Sequence, residues 1–228
     1  MMRPAVVLLS GGLDSATCLS WAVREGFAAH ALTVDYGQRH AVEIARAADI
    51  ARQIGAHAHR VLAVDLSFLP GSALTDRTVP VPKARDASAM RTGIPLTYVP
   101  ARNTVFLACA LSWAESLGAR DLVIGVNAID YSGYPDCRPD FLRAFEQLAA
   151  AGTKAGALGD AWRIHAPLVD LSKAEIVRRA AAWGVPYDLT VSCYDPGTDG
   201  APCGSCDACV IRARGFLEAG IDDKAHGA

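Results

Sequence analysis

The sequence predicts an α/β fold with a parallel sheet flanked by helices, followed by a small C-terminal subdomain. Short apolar runs of strand length alternate with helical segments, and near residue 191 the composition changes to cysteine, glycine and proline. Strands that alternate with helices are joined by right-handed crossovers, which make the strands parallel. We therefore divide the 228 residues into an α/β domain over 1–190 and a helical, cysteine-containing subdomain over 191–228.

The individual elements follow from the spacing of apolar residues. Residues 6–9 form a continuous aliphatic run, typical of a strand that is buried on both faces. Further strands are predicted at 28–34, 61–64, 122–126 and 163–166, and helices at 15–25, 42–54, 103–117, 141–151 and 173–183. Residues 67–97 are rich in Pro, Gly, Ser and Thr and have little periodicity. An irregular segment of this length is often a lid or a binding loop.

Charge and hydropathy argue against nucleic acid and membranes as partners. The formal net charge is −2, and arginines are interspersed with acidic residues rather than gathered in a basic stripe. The first apolar run, residues 5–9, is too short for a signal peptide or a membrane span. We expect a soluble cytoplasmic protein, in which the seven cysteines are metal ligands or free thiols rather than disulfides.

A glycine-rich loop, S-G-G-L-D-S at residues 10–15, lies between the first strand and the first helix. Two glycines allow a sharp turn and a close approach to a ligand. N–H groups at the following helix start bind anions, and Ser10 and Ser15 add hydroxyl donors. Asp14 fits beside a phosphate if Mg²⁺ bridges the two, and otherwise it caps the helix in an ordinary strand-to-helix turn. The loop matches neither the dinucleotide fingerprint nor the P-loop.

Four cysteines near the C-terminus have metal-ligand spacing. Cys193, Cys203, Cys206 and Cys209 follow the pattern C-x9-C-x2-C-x2-C. Four thiolates predict a closed tetrahedral zinc site with a structural role, while an iron–sulfur cluster and a redox pair are the alternatives. The remaining thiols Cys18 and Cys109 fall on predicted helices and are interpreted as core residues, whereas Cys137 stays unassigned.

Three polar strings follow predicted strands or precede a helix and are candidates for binding a flat substrate. They are D-Y-G-Q at 35–38, Y-V-P-A-R-N at 98–103 and G-V-N-A-I-D-Y-S-G-Y-P-D-C-R at 125–138. Aromatic rings can stack on a planar ring, carboxylates can accept from its N–H groups, and an arginine suits a carboxylate. By chemistry alone, irregular polar loops explain these strings equally well.

The order of the motifs resembles a known family. The loop S-G-G-x-D-S resembles the pyrophosphate loop of the N-type ATP pyrophosphatases. The loop, the three strings, L-S-K-A-E-I-V at 171–177 and the cysteines together resemble the 7-cyano-7-deazaguanine synthase family over residues 6–216. The resemblance implies a Rossmann-like (adenine nucleotide alpha hydrolase-like) five-stranded parallel sheet, a bound zinc and a homodimer. It also implies conversion of 7-carboxy-7-deazaguanine, ammonia and ATP, with Mg²⁺, into 7-cyano-7-deazaguanine on the route to queuosine.

The resemblance also implies roles for individual residues. Asp14, Ser15 and Lys173 are the catalytic candidates. The candidates for ATP binding are Leu9, Ser10, Gly11, Gly12, Leu13, Asp14, Ser15, Ala16, Thr17, Cys18 and Leu19. The candidates for substrate binding are Asp35, Gln38, Arg102, Asn103, Asp130, Tyr131, Tyr134, Asp136 and Arg138. Two alternatives remain: a tRNA thiolase, for which Cys137 is the candidate sulfur carrier, and a zinc-knuckle binding module with a vestigial nucleotide fold.

Overall fold

A computed structural model of the chain describes residues 2–39, 42–90, 93–127, 133–198 and 200–225. The strands are β1 (Arg3–Leu8), β2 (Phe27–Asp35), β3 (Ala58–Ala63), β4 (Asp121–Val123) and β5 (Arg163–His165). The helices are α1 (Leu13–Arg24), α2 (Val42–Ile54), α3 (Ala87–Met90), α4 (Arg102–Ser116), α5 (Pro139–Gly152), α6 (Lys154–Ala157), α7 (Lys173–Ala182) and α8 (Asp207–Ala219). Short 3₁₀ turns lie at Pro135–Cys137 and Tyr187–Leu189.

The five strands form one parallel sheet in the order β3-β2-β1-β4-β5. The predicted parallel α/β sheet is therefore confirmed. From β1 the chain first builds outward through β2 and β3, and then returns to place β4 on the other side of β1. The crossovers thus reverse direction between β1 and β4. In such sheets the crevice at the carboxyl ends of the two strands is the usual ligand site.

Helices cover both faces of the sheet, so β1 is buried on both sides. Val6 packs with Leu107 of α4 on one face, and Val7 packs with Ile176 of α7 on the other. Phe216 of α8 belongs to the same cluster as Val7 and is 2% exposed. The C-terminal helix therefore completes the core of the α/β part, and the division at residue 190 stays a prediction.

The strands differ from their predicted bounds by one to three residues, and β1 begins at Arg3 rather than at Val6. β3 begins at Ala58 rather than at Val61, since it pairs with β2 from His30 onward. It is an edge strand whose residues are largely exposed, so its polar first half gives no apolar signal. β4 ends at Val123 rather than at residue 126, where the chain turns from the sheet towards α1. Among the described residues, no helix is long and apolar enough to cross a membrane.

Candidate active site and metal centre

A cavity of about 260 Å³ opens at the carboxyl ends of β1, β2 and β4. Aliphatic and aromatic side chains from the strand ends form its floor, including Leu32, Val34 and Ile124. Loops and helix starts supply the polar side chains at its rim. A largely apolar cavity with a few convergent polar groups is the usual form of a small-molecule site.

The glycine loop forms one end of the cavity, and its two glycines have different conformations. Gly11 has a φ of +91°, and a Cβ placed there would lie 2.3 Å from the carbonyl oxygen of Glu43. Gly12 has a φ of −84° and precedes the first turn of α1. Only Gly11 therefore requires glycine for its backbone conformation. Gly125, after β4, also comes close, because its Cβ would lie 3.1 Å from the backbone nitrogen of Ser15.

Two serine hydroxyls close the loop over the helix start. The hydroxyl oxygens of Ser10 and Ser15 are 3.1 Å apart, and the Ser10 backbone N–H donates to the Ser15 hydroxyl at 3.1 Å. The Ser15 hydroxyl in turn donates to the Gly12 carbonyl at 3.0 Å. The twelve-residue helix α1 begins directly behind these groups, so its positive dipole end faces the cavity.

Asp14 forms an ion pair with Lys173 across the cavity rim. The Lys173 ammonium lies 2.7 Å and 2.8 Å from the two carboxylate oxygens of Asp14. Lys173 is the first residue of α7, and Ser172 and Glu175 fix that helix start through reciprocal capping hydrogen bonds. The alternative in which Asp14 caps α1 is wrong, since Gly12 is the N-cap and no side chain caps it.

The other candidates for ATP binding divide into two groups. Leu9 and Leu13 line the cavity together with the loop. The side chains of the next residues lie inside the core or within α1, and these residues are Ala16, Thr17, Cys18 and Leu19. Burial raises the pKa of the Cys18 thiol, in keeping with its interpretation as a core residue.

Arg102 and the aromatic side chains around it form a second part of the cavity lining, the aromatic end. Its guanidinium carbon is 5.8 Å from the ring centre of Tyr36 and 5.9 Å from that of Phe106. Its Nη1 donates to the Tyr36 hydroxyl at 3.5 Å. Burial raises the pKa of Tyr36 to about 12 although Arg102 opposes the shift, so the hydroxyl stays neutral at physiological pH. A guanidinium beside two aromatic rings, tilted 56° to each other, suits a planar anion.

Tyr134 adds a second hydroxyl to this end of the cavity. Its hydroxyl oxygen lies 2.6 Å from the Thr97 hydroxyl. Burial raises the pKa of Tyr134, while hydrogen bonds with Thr97 and Tyr194 act against the shift. The sequence candidates Arg102 and Tyr134 are thus brought together, and Tyr194 joins them from the far end of the chain.

Asn103, which lines the cavity, and Asp136 are both buried and hydrogen-bond each other. The Asp136 carboxylate accepts from the Asn103 backbone N–H at 3.0 Å, and the Asn103 amide donates back to the Asp136 carbonyl at 3.0 Å. The same amide donates to the Cys137 sulfur at 3.4 Å. These bonds fix the start of α4, which carries Arg102. Burial and the neighbouring Asp136 raise the pKa of Cys137 to about 12.

Several substrate candidates lie away from the described cavity lining. Asp35 accepts from the Gly37 N–H at 3.3 Å, and Arg138 is exposed at the start of α5. Gln38 is buried, where it accepts from the Tyr36 N–H at 2.8 Å and donates to Glu43 at 3.3 Å. Asp130 and Tyr131 fall outside the described residues.

The cavity also contains side chains that the sequence did not single out. Glu43, Phe106 and Tyr194 line it, as do Tyr36 and Asn127 from the strings noted above. The aromatic residues within those strings were a usable signal. No sequence pattern pointed to Glu43 or Tyr194, because α2 and the segment after residue 190 come next to the cavity only when the chain folds.

The four cysteines form a cluster that could hold a metal ion. Their sulfur atoms all lie within 4.8 Å of one another, and those of Cys206 and Cys209 are 3.5 Å apart. Tetrahedral Zn–S bonds of about 2.3 Å place sulfur atoms about 3.8 Å apart, so the cluster fits such an ion. Backbone N–H groups donate to the sulfurs, as at Cys203 N to Cys193 Sγ (3.2 Å). Hydrogen bonds within the cluster lower the pKa of Cys206 and raise those of Cys193 and Cys209, so among these three thiols Cys206 is the first to become a thiolate.

The irregular segment before α4 supports this cluster. Lys83 forms an isolated antiparallel bridge with Cys206, and the Ala84 N–H donates to the Ser205 carbonyl at 2.8 Å. Arg85 binds Asp207 at the start of α8 at 2.5 Å. Ala73 and Val81 pack directly against the cysteines. Much of the segment predicted to be a lid or binding loop therefore covers the metal centre.

Fold and site together define a class of protein: a parallel α/β fold with a glycine loop at a helix N-terminus beside a cavity, and a separate four-cysteine cluster that could hold a metal ion. A family model described as queuosine biosynthesis protein QueC matches residues 4–220. The chain belongs to this family, and the resemblance inferred from the motifs is confirmed.

Relatives with assigned names match over almost the whole chain. The 7-cyano-7-deazaguanine synthase of Anaeromyxobacter sp. (strain Fw109-5) is 64% identical over 97% of this chain and 94% of its own length. That of Thiobacillus denitrificans is 60% identical over 97% of both chains. Among solved structures, NMN synthetase from Francisella tularensis aligns over 96% of this chain and 78% of its own, with 16% identity and a TM-score of 0.48. A 4-thiouridine synthetase in complex with RNA and ATP aligns over 94% and 53%, with 19% identity and a TM-score of 0.49.

Proposed function

We propose that the protein uses ATP to convert 7-carboxy-7-deazaguanine and ammonia into 7-cyano-7-deazaguanine, in queuosine biosynthesis. The observation that supports this most is that two chemically distinct groups of side chains line the same cavity. One group has an anion-binding loop with the Asp14–Lys173 pair, and the other has Arg102 among aromatic rings. Membership of the family and the names of its relatives support the same reaction.

The loop end suits the phosphates of ATP. N–H groups at the start of α1 and the hydroxyls of Ser10 and Ser15 are donors for phosphate oxygens. Lys173 would neutralise charge on the departing pyrophosphate, and its present partner Asp14 would then be free to hold Mg²⁺. When bound, Mg²⁺ would supply further charge neutralisation at the phosphates.

The aromatic end suits the deazapurine acid. The Arg102 guanidinium is a partner for its carboxylate, and Tyr36 and Phe106 offer faces for its flat ring. Because burial keeps the Tyr36 hydroxyl neutral, that group can donate a hydrogen bond without repelling the acid. Bound substrates would displace water from the apolar floor, and water would otherwise hydrolyse an activated carboxylate.

The reaction needs two activations and no side-chain nucleophile. A carboxylate oxygen attacks the α-phosphorus of ATP, pyrophosphate leaves, and the acid becomes an acyl adenylate. Ammonia then displaces AMP and gives the amide after loss of a proton. A second ATP then phosphorylates or adenylates the amide oxygen, and that oxygen leaves with phosphate or AMP as the nitrogen loses its two protons, which forms the nitrile. Cys137, whose pKa is raised to about 12, stays a neutral thiol throughout.

The cysteine cluster would bind one structural zinc. Four protein thiolates fill a tetrahedral site and leave no open position for substrate. On the resemblance alone, we propose that the protein is a cytoplasmic homodimer that acts on small molecules rather than on nucleic acid.

The test is a product assay with purified protein, Mg-ATP, ammonium and the deazapurine acid. We expect ATP consumption to require the acid and mass spectrometry to find the nitrile. Lys173→Ala should slow product formation about 100-fold, whereas Lys154→Ala, on an exposed residue of α6, should leave the rate unchanged. ATP consumption that is independent of the acid, or sulfur transfer to tRNA without nitrile formation, would contradict the proposal.

A further inference from the structure

Tyr194 links the metal centre to the cavity. It directly follows the metal-ligand candidate Cys193, and it lines the cavity beside Arg102 and Tyr134. Its half-buried ring packs both against the main core on the α4 face of the sheet and against the cysteine cluster. No other residue in the described part of the chain is shared by these two clusters.

The main chain and side chain of Tyr194 have different partners. Its backbone N–H donates to the Cys206 sulfur at 3.5 Å, which makes the main chain part of the metal centre. Its side chain hydrogen-bonds Tyr134, whose hydroxyl is 2.6 Å from that of Thr97. The backbone position of Tyr194 is thus set by a thiolate ligand, while its ring belongs to the aromatic end of the cavity.

The segment before Tyr194 forms the rest of this wall. Val191 donates its N–H to the Gly11 carbonyl at 3.1 Å, so the wall contacts the glycine loop. Arg212 of α8, which is 1% exposed, donates to the Thr190 hydroxyl at 2.8 Å and to the Ser192 hydroxyl at 3.2 Å. α8 begins between the third and fourth cysteines. The cysteine cluster therefore holds the wall segment 190–194 in two ways: directly at Cys193, and through Arg212 of α8.

We propose that Tyr194 is a substrate-binding residue for the deazapurine acid and that metal binding by the four cysteines sets its position. The inference rests on the proposed function. A metal draws four sulfurs, which as thiolates repel one another, into one compact cluster. Without it the sulfurs separate, the Tyr194 N–H loses its fixed acceptor, and the ring leaves the cavity wall. The metal therefore acts on substrate affinity without touching the substrate.

The first test compares Tyr194 variants with a tyrosine that lies outside the described cavity lining. Tyr194→Ala should raise the dissociation constant for 7-carboxy-7-deazaguanine by about tenfold or more, the loss expected for a ring contact and a hydrogen bond. Tyr194→Phe should show a smaller rise, and both should leave the dissociation constant for ATP nearly unchanged. In kinetics the effect should fall on KM for the acid more than on kcat. The control Tyr187→Phe, in a 3₁₀ turn, should match the wild type.

The second test measures the absorption spectrum of a metal bound by the four cysteines. Cobalt(II) bound to four thiolates absorbs visible light, and its bands respond to hydrogen bonds at the sulfurs. We expect saturating acid to shift the spectrum of the cobalt-loaded protein, because the acid orders Tyr194 and hence the N–H bond to Cys206. Tyr194→Ala should abolish the shift. Failure to bind cobalt, or a spectrum that the acid leaves unchanged, would overturn the coupling.

The tests separate this inference from the proposed function. If the wild type makes the nitrile while Tyr194→Ala keeps normal affinity for the acid, the inference is wrong and the proposed function stands. If the wild type neither binds nor converts the acid, both are wrong.

Discussion

At the scale of single residues, Gly11 and Gly12 are adjacent but face different constraints. Gly11→Ala places a Cβ 2.3 Å from the Glu43 backbone oxygen at a φ of +91°, so the loop must move. We expect the free energy of unfolding to fall by about 1–3 kcal/mol and ATP affinity to be lost. Urea denaturation and equilibrium ATP binding measure the two effects.

The control is a glycine with the same backbone strain but free space around it. Gly26 has a φ of +81° and nothing within 4 Å of its added Cβ. Gly26→Ala should cost about 1 kcal/mol and leave ATP affinity unchanged. Gly12→Val, at a φ that any residue adopts, should block ATP while the fold stays intact. Equal ATP affinity in all three variants would show that the loop is not the nucleotide site.

The Asp14–Lys173 pair predicts linked effects on turnover. Lys173→Ala should lower kcat about 100-fold, the loss typical of a group that stabilises transition-state charge. Asp14→Asn should impair Mg²⁺-dependent turnover more than ATP binding. Because the two side chains contact each other, the double variant should lose less than the product of the single losses. Steady-state kinetics test this, and fully multiplicative losses would contradict it.

Cys137 predicts a distinctive pH dependence. Its pKa of about 12 lies above the ordinary thiol value, so the reactive thiolate appears only as the pH approaches 12. At pH 8 the thiol is protonated, and iodoacetamide should modify it slowly, as mass spectrometry of peptides would show. Cys137→Ser should keep most of the turnover. Rapid alkylation, together with an inactive serine variant that still binds ATP, would instead favour the sulfur chemistry of a thiolase.

At the scale of elements, the cysteine turn before α8 should hold about one zinc per chain. Structural zinc contributes on the order of 10 kcal/mol to folding, so Cys206→Ser should lose the metal and destabilise the C-terminal region. Cys18→Ser should be mild by comparison, since its sulfur only donates to the Ile124 carbonyl at 3.7 Å. Elemental analysis that finds iron, or no metal in fully active protein, would overturn the zinc assignment.

Local sequence patterns predicted most helices and the central strands, because apolar spacing and helix stop signals act over a few residues. The predicted strand bounds were poorest where a strand is largely exposed and so shows no apolar pattern, as at the edge strand β3. It gave no strand order, since β4 pairs with β1 across more than a hundred residues of chain. The role of residues 73–92 was likewise hidden, because Lys83 and Arg85 meet the cysteine turn only in the folded chain.

The same contrast holds for the candidate site. The glycine loop and the cysteines have fixed spacings, so the sequence located both. The aromatic end combines Tyr36, Arg102, Tyr134 and Tyr194 from four separate segments, and no spacing within one segment could predict it. Asn103 and Asp136 are polar residues of the right type, but the fold uses them to fix the start of α4.

At the scale of the whole molecule, the sheet, the cavity and the metal centre form one packed unit. The reversal of the crossover direction between β1 and β4 leaves a crevice at the carboxyl ends of these parallel strands, and the glycine loop lines the cavity there. Helix α8 packs Phe216 into the core of the sheet and presents Ala208 and Ile211 to the cavity. A change at the metal centre should therefore alter the affinity for the substrate while the sheet is still folded.

The most direct measurement follows oxygen from the acid into the products of ATP. If the substrate carboxylate attacks the α-phosphorus, an oxygen-18 label in that carboxylate appears in AMP, and pyrophosphate stays unlabelled. Mass spectrometry of the nucleotide and phosphate fractions after a single activation step gives the answer. We expect labelled AMP. Label in inorganic phosphate together with ADP would contradict activation by adenylation at the glycine loop.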